Sequence, residues 1–384
     1  KLIPGRLKIT LDEALREEKA LKALCDADPQ VRELLDMAKR VEGMPRHAST
    51  HAAGVVITAE PVDHYVPLAK SDESIVTQFP MTTLEELGLL KMDFLGLRNL
   101  SVIDHTVRAV RKSDPDFRID RISLEDPEVF AMFSRGETEG VFQFESAGMR
   151  RMLIAMKPAS IEDLTAATSL YRPGPSGSID TYIRNRFHPE LIRYKTPLLE
   201  PILRVTCGVL LYQEQVMEVC RALAGYSYGR ADLVRKAMGK KKVDVMQAER
   251  EIFLHGKYRE DGSAECPGAV ANGVPEDTAN EIFDEMAAFA EYAFNKAHAP
   301  AYAVVAYQTA YLKCHYPRQY MAALLTSVIY WTGKLTEYIA ECRGLGIEIL
   351  PPHINRGTGS FRTGGEGIRF GLLAVQGRER SAYD

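Results

Sequence analysis

Paired cysteines, long apolar runs and a surplus of charge of one sign are all missing from this sequence. Its six cysteines, Cys25, Cys207, Cys220, Cys266, Cys314 and Cys342, are few for 384 residues, and no two form a C-x-x-C pair. Zinc ribbons and disulfide scaffolds are thereby disfavoured, and a reducing cytoplasm is the expected location. No run approaches the roughly 18 apolar residues of a spanning helix, so no membrane partner is expected. Lysine and arginine number 48 against 52 aspartates and glutamates, a formal net charge of −4. That balance argues against a chain coated in positive charge, such as a histone, but leaves room for a local basic stripe that meets nucleic acid. There is no internal repeat, no low-complexity tract and no signal-peptide pattern. The first residue is Lys1 rather than methionine, and the chain is expected to be a piece of something longer.

What is present is ordinary globular chemistry, with 46% hydrophobic and 26% charged residues over a length that suits two or three domains. Residues 10–42 read as helical. Thr10 with Glu13 three positions on is a capping-box start, and Val31, Leu34, Leu35 and Ala38 recur at helical spacing before Gly43. Gly54 to Thr58 and Leu89 to Phe94 are strand candidates for a small mixed sheet. From about residue 120 the pattern is mostly helical, broken by the stiff turn Arg172-Pro173-Gly174-Pro175. Long helices are expected at about 210–224, 230–258, 276–294 and 301–314, with a strand at Ile368-Arg369-Phe370. On the third of these helices Ile282, Phe283, Met286, Phe289 and Ala293 share one face.

Several groups carry chemistry. In Leu89-Leu90-Lys91-Met92-Asp93-Phe94, strand alternation puts Lys91 and Asp93 on one face and Leu90, Met92 and Phe94 on the other. A carboxylate beside a cation on a rigid strand suits phosphoryl transfer, with Asp93 on Mg²⁺ and Lys91 on phosphate oxygens. Spacing alone favours a half-buried strand with a solvated polar face. The D-x-D pairs Asp26/Asp28 and Asp114/Asp116 read as surface turns, so partners for Asp93 are not evident. His47 and His51 have the spacing of a helical zinc pair, but Ala48 stands where a zinc protease needs glutamate and no third ligand is suggested.

Between Arg230 and Lys242 lie six basic residues and one acidic residue. That cluster, with Arg235, Lys236, Lys240, Lys241 and Lys242, suits a triphosphate or a nucleic-acid backbone, while the run alone favours a solvated helix face. It is no P-loop, because Lys241 stands where Ser or Thr is needed and Val234 where the first glycine is needed. Tyr292, Asn295, Lys296 and His298 combine stacking, hydrogen-bonding and charge at a helix junction, ahead of a Pro300 expected at the first position of the next helix. A nucleotide site and a capped junction both fit.

Nine segments in order resemble the bacterial replicative DNA polymerase III alpha subunits, C-family polymerases of the DnaE type. They are Arg46–Thr58 (RHASTHAAGVVIT), Leu89–Asn99 (LLKMDFLGLRN), Gly140–Met149 (GVFQFESAGM), Leu170–Pro175 (LYRPGP) and Gly208–Val216 (GVLLYQEQV). Ala231–Lys242 (ADLVRKAMGKKK), Tyr292–His298 (YAFNKAH), Tyr307–Pro317 (YQTAYLKCHYP) and Ile349–Asn355 (ILPPHIN) complete the series. The resemblance implies an α+β, mostly helical chain in which the end of a polymerase-beta-like nucleotidyltransferase palm precedes a large helical fingers domain. Residues 1–45 would close a helical thumb, 46–98 the palm and 99–352 the fingers, with 353–384 opening a clamp- or duplex-binding region.

It also implies roles. Asp93 would be the third catalytic carboxylate and a ligand to one or both of two Mg²⁺ ions, with Lys91 its phosphate-contacting neighbour. Arg235, Lys236, Tyr292, Asn295, Lys296 and His298 would meet the deoxynucleoside triphosphate. Arg172, the Tyr212-Gln213-Glu214-Gln215 run, Lys240, Lys241 and Lys242 would line the same cleft or the DNA. Primer–template DNA, dNTPs, a sliding clamp and other replisome subunits would be the partners. Against the family pattern, Lys236 stands for an arginine, Ala297 for a serine and Pro300 for a small helical residue, and the stretch from Ala374 departs from the expected continuation. The family's other two catalytic aspartates lie upstream of this segment, so the isolated chain is expected to be inactive. The rival class is a non-catalytic nucleic-acid-binding module of the same ancestry, and a third is a zinc hydrolase using His47 and His51.

Overall fold

The computed structural model describes residues 2–4, 9–44, 49–71, 74–172, 175–239, 243–290, 295–365 and 367–375. Two compact units divide the chain, Lys1–Gly96 and Leu97–Asp384. The first begins with three short helices, α1 (Leu11–Glu17), α2 (Lys19–Ala27) and α3 (Pro29–Val41). The capping box is present: Thr10 Oγ1 accepts from Glu13 N at 3.2 Å and Glu13 Oε2 accepts from Thr10 N at 2.9 Å. Two of the four otherwise orphaned amides at this helix start are thus satisfied locally. Ala14, Leu21 and Leu35 form the small core of these helices, while Leu34 of the same helical-spacing pattern is exposed.

Then come β1 (Gly54–Ile57), β2 (Leu68–Ser71), β3 (Ser74–Thr77), α4 (Met81–Glu86) and β4 (Leu90–Asp93). β1 pairs with β4 and β2 with β3, both antiparallel. The mixed sheet expected here is therefore two separate antiparallel ribbons. Val55 opposes Met92 and Ile57 opposes Leu90, and this apolar face is exposed. The other face brings Val56 opposite Lys91 and Gly54 opposite Asp93. The Lys91 side chain is only 13% exposed, so the sequence expectation of a buried apolar and a solvated polar face is inverted at Lys91. An ion pair with Asp93 and a seat over Gly54 hold Lys91 down.

In the second unit α5 (Arg98–Val110), α6 (Pro127–Ser134), α7 (Ala147–Met156), α8 (Ile161–Leu170), α9 (Ile179–Phe187) and α10 (Glu200–Leu203) come first. They lead to α11 (Gln213–Ala224), α12 (Tyr228–Gly239) and α13 (Val243–His255). A ribbon of β5 (Lys257–Tyr258) and β6 (Ala264–Cys266) precedes α14 (Glu276–Ala290), α15 (His298–His315), α16 (Pro317–Ser327) and α17 (Thr332–Gly344). A mixed three-stranded sheet closes the unit, with β9 (Gly367–Arg369) between β7 (Ile349–Leu350) and β8 (Arg362–Gly364). The single helix expected over 230–258 is thus two, α12 and α13, with 240–242 outside the described residues.

α15 is central, packing against α5, α6, α8 and α16. Its Tyr307 is fully buried, donating to Ser123 O and accepting from Asp126 N, each at 3.0 Å. Lys313 on the same helix is 1% exposed, its ammonium donating to Glu137 O, Glu139 O and Glu341 Oε1 at 2.9, 2.8 and 2.6 Å. Pro300 is the third residue of α15, not the first as expected. The first turn of a helix has no intrahelical acceptor for its amides, so proline costs little at any of these positions. A second core is built from α11 to α14, where Ile282, Phe283 and Met286 are buried as their spacing predicts; Ala293 of that face lies outside the described residues.

Candidate active site

In the first unit the site is built on β1 and β4. Side chains on one face of adjacent antiparallel strands meet, so Asp93 looks across at Gly54 and sits beside Lys91, two residues back. Lys91 Nζ donates to Asp93 Oδ1, and His51 Nδ1 lies 3.8 Å from the same oxygen while accepting from Ala53 N at 3.2 Å. A Cβ on Gly54 would stand 2.7 Å from Lys91 Cε and 2.9 Å from His51 Nδ1. Glycine at this position is what lets Lys91 and His51 close over the strand. The Lys91 hydrogen bond holds the Asp93 carboxyl below its ordinary value; burial opposes it, and the nearby Lys91 charge and His51 add to the lowering.

Both contacts fall on Oδ1. Oδ2 of Asp93, whose side chain is 45% exposed, has no hydrogen-bond partner among the described residues. An ionised, half-exposed carboxylate with one free oxygen fits a hard cation such as Mg²⁺, which takes one or two protein carboxylates and completes its shell with water and phosphate. Sequence spacing alone offers His51 only as half of a zinc pair. The structure sets it beside Asp93, and His47 lies outside the described residues.

In the second unit the predicted cations gather on α12. Arg235 grips Asp232 Oδ1 through Nη2 and Nε at 2.7 and 3.0 Å, and reaches Gln213 Oε1 through Nη1 at 3.1 Å. Lys236 Nζ takes the other Asp232 oxygen at 2.6 Å. Adjacent residues on a helix diverge by 100°, so one carboxylate a turn earlier is what brings both cations together. The hydrogen bonds from Lys236 and Arg235 hold Asp232 below the usual carboxylate range.

The start of α11 links this cluster to the start of α15. Gln213 reaches Arg235, Glu214 accepts from Lys296 N through Oε1 and Oε2 at 3.1 and 3.0 Å, and Lys296 Nζ lies 5.5 Å from the centre of the Tyr212 ring. Asn295 Oδ1 accepts from His298 N at 3.2 Å, capping the turn, and the His298 ring stacks on Tyr302 with centroids 3.9 Å apart. Tyr302 in turn packs on Phe142 at 5.2 Å. Arg172 is partly buried, which lowers its pKa, and the Tyr302 hydroxyl acts on it in the opposite sense.

Gln213, Arg235, Lys236 and Lys296 are therefore joined by direct contacts or through neighbours on one helix start, and Asn295 and His298 share a turn. Tyr292, Lys240, Lys241 and Lys242 lie outside the described residues. Arg230, counted in the basic cluster, is spoken for by Glu249 at 2.9 Å and Glu265 at 3.1 Å. Tyr212 and Glu214 belong to the run that the family resemblance puts in the cleft, but spacing pairs neither them nor Asp232 and Tyr302 with these groups. For Asp232 the i, i+3 and i, i+4 relation to Arg235 and Lys236 is a usable sequence signal; for Glu214 and Tyr302 the partners sit on other elements.

A half-exposed carboxylate with one open oxygen, and two cations sharing one carboxylate, are groups whose chemistry suits phosphate. Residues 1–96 match the family described as the bacterial DNA polymerase III alpha NTPase domain, and residues 99–261 the bacterial DNA polymerase III alpha subunit finger domain. The DNA polymerase III subunit alpha of Thermus aquaticus is 47% identical over 386 residues, covering 98% of this chain and 31% of the relative. Those of Borreliella burgdorferi and Bacillus subtilis are 45% and 42% identical, each over 98% of this chain and 32% and 33% of their own lengths. The chain spans about a third of the length of the curated relatives it matches. It belongs to the bacterial DNA polymerase III alpha subunit family. Among the described residues no helix is long and apolar enough to cross a membrane.

Proposed function

We propose that the protein carrying this stretch is a replicative DNA-directed DNA polymerase, extending a primer by attack of its 3′-hydroxyl on the alpha-phosphate of a dNTP with loss of pyrophosphate. The observation that carries the reading is Asp93, with Oδ1 engaged by Lys91 and Oδ2 open, in a chain at 47% identity to a DNA polymerase III subunit alpha. On this reading β1 and β4 belong to a polymerase-beta-like palm, residues 1–45 to the thumb, 46–98 to the palm, 99–352 to the fingers and 353–384 to a following duplex- or clamp-binding region.

Magnesium, when bound, supplies Lewis-acid stabilisation of the attacking and leaving oxygens, and this chain offers Asp93 Oδ2 to hold it. Asp93 stays ionised because Lys91 lies beside it, and Lys91 keeps a proton donor aimed at the position where phosphate oxygens arrive. Arg235 and Lys236 neutralise the triphosphate by exchanging Asp232 for phosphate oxygens. Lysine at 236 meets them as a point charge, whereas Arg235 offers a two-pronged fork. Lys296 and His298 are assigned to the base or sugar of the dNTP, with Tyr302 backing the imidazole. Lys240, Lys241 and Lys242 are assigned to DNA backbone, template sequence being read by base pairing. The cytoplasm is the compartment that holds DNA, clamp and replisome partners.

The test is Asp93→Asn in the full polymerase chain, read by primer extension and by DNA binding. Loss of a metal-holding carboxylate removes several kcal/mol of transition-state stabilisation, so extension falls on the order of 10³-fold while DNA binding persists. Unaltered extension would sink the assignment. If DNA binding instead drops on neutralising Lys240, Lys241 and Lys242 and Asp93 has no effect, the stretch is a binding module.

A further inference from the structure

Elsewhere in the second unit, the end of α15 meets the start of α6. Glu128, Cys314 and His315 each present one donor atom there, and the three atoms lie within 4.8 Å of one another. We propose that Glu128, Cys314 and His315 form a divalent-metal site suited to zinc, clamping the C-terminus of α15 to the N-terminus of α6.

The donor set is the first ground. Thiolate, imidazole and carboxylate together select zinc among the common cellular cations, since magnesium and calcium take oxygen ligands. Three protein donors with two of the three residues exposed leave a fourth tetrahedral position to water. The second ground is the neighbouring carboxylate. Asp126 Oδ2 lies 2.9 Å from His315 Nε2, while its Oδ1 accepts from Glu128 N and Val129 N as the cap of α6. A carboxylate on a ring nitrogen fixes the tilt and tautomer of a metal-binding histidine, the usual support for such a ligand.

The third ground is the field. His315 is the last residue of the 18-residue α15, where unpaired carbonyls make the helix end negative and favour a cation. Arg135, whose charge also reaches Cys314, is paired with Glu137 at 2.8 and 2.7 Å, and the Glu137 carboxylate offsets its repulsion of a cation at the cluster. Burial and the charges of Glu128 and Asp126 push the Cys314 thiol up. Metal binding reverses this: the S–H proton leaves to solvent as the sulfur–metal bond forms.

The experiment uses the full polymerase chain, stripped with chelator and titrated with Co²⁺ as a spectroscopic stand-in for zinc. The parent is expected to show a thiolate-to-cobalt band in the near ultraviolet that Zn²⁺ abolishes and that Cys314→Ala lacks. Zinc is also expected to slow alkylation of Cys314, followed by peptide mass. Asp126→Asn, which keeps an oxygen for the α6 cap, weakens cobalt binding about 10–100-fold. An identical cobalt spectrum in parent and Cys314→Ala overturns the site. So does alkylation of Cys314 at one rate with and without zinc, a measurement on the parent chain that does not depend on the variant folding.

Discussion

Alanine at Gly54 would test whether Lys91 positions Asp93. Gly54 lies opposite Asp93 on β1 and is not among the residues with left-handed backbone, so alanine meets no conformational penalty there. Its Cβ would stand 2.7 Å from Lys91 Cε and 2.9 Å from His51 Nδ1. Carbon atoms rest at about 3.5 Å or more, so the end of Lys91 must retreat by ~0.8 Å or swing aside, drawing Nζ off Asp93 Oδ1. A displacement of about 1 Å at a reacting site costs on the order of 10²-fold in rate, about 2.7 kcal/mol. The moving atoms are the far end of a flexible side chain, so the fold absorbs the change and the cost falls on activity. Single-nucleotide incorporation by the full polymerase chain, followed by rapid quench, separates kcat from the dNTP KM. The expected outcome is a kcat about 100-fold lower with KM and thermal stability near the parent's. Combining Gly54→Ala with Lys91→Ala should add little to Lys91→Ala alone, because the lysine part of the clash is then gone. A kcat in Gly54→Ala indistinguishable from the parent's would refute the reasoning.

Arg235→Lys removes the fork that spans Asp232 and Gln213, and should raise the dNTP KM about 10-fold or more with DNA affinity unchanged, as steady-state extension would show. Lys313→Met strands two carbonyls and Glu341 without their buried cation, a loss of about 3–5 kcal/mol that should speed exchange of the most protected α15 amides by on the order of 10²-fold or more. Because Lys91 lowers the folded-state pKa of Asp93, the carboxylate's contribution is present above its ordinary value of 3.8 and lost only as pH falls through the lower folded value. A carboxyl-carbon NMR titration should place the Asp93 midpoint below 3.8 in the parent and return it toward 3.8 in Lys91→Met; an equal midpoint in both would remove Lys91 as the cause.

Local rules made much of the fold legible. The Thr10–Glu13 box, the β-branched run at β1, the strand ending at Asp93 and the buried stripe Ile282, Phe283 and Met286 all rest on contacts within four residues or on a fixed period. Which face is covered did not follow from periodicity: alternation separated Lys91 from Leu90 and Met92 but said nothing of the Gly54 seat that draws the lysine inward. The basic run from Arg230 also looked more uniform than it is, since Arg230 belongs to Glu249 and Glu265 while Arg235 and Lys236 share Asp232.

By itself, then, the sequence determined the kind of elements, the family and the residue types at the two clusters, because caps, periods and motifs are short-range and written in consecutive positions. Only the tertiary structure decided that His51 stands by Asp93, that Gln213 and Glu214 reach Arg235 and Lys296, and that Asp126 meets His315 across 189 positions. The physical reason is that strand register and helix packing set those distances. Both come from burial of side chains far apart in the chain, which no local pattern records.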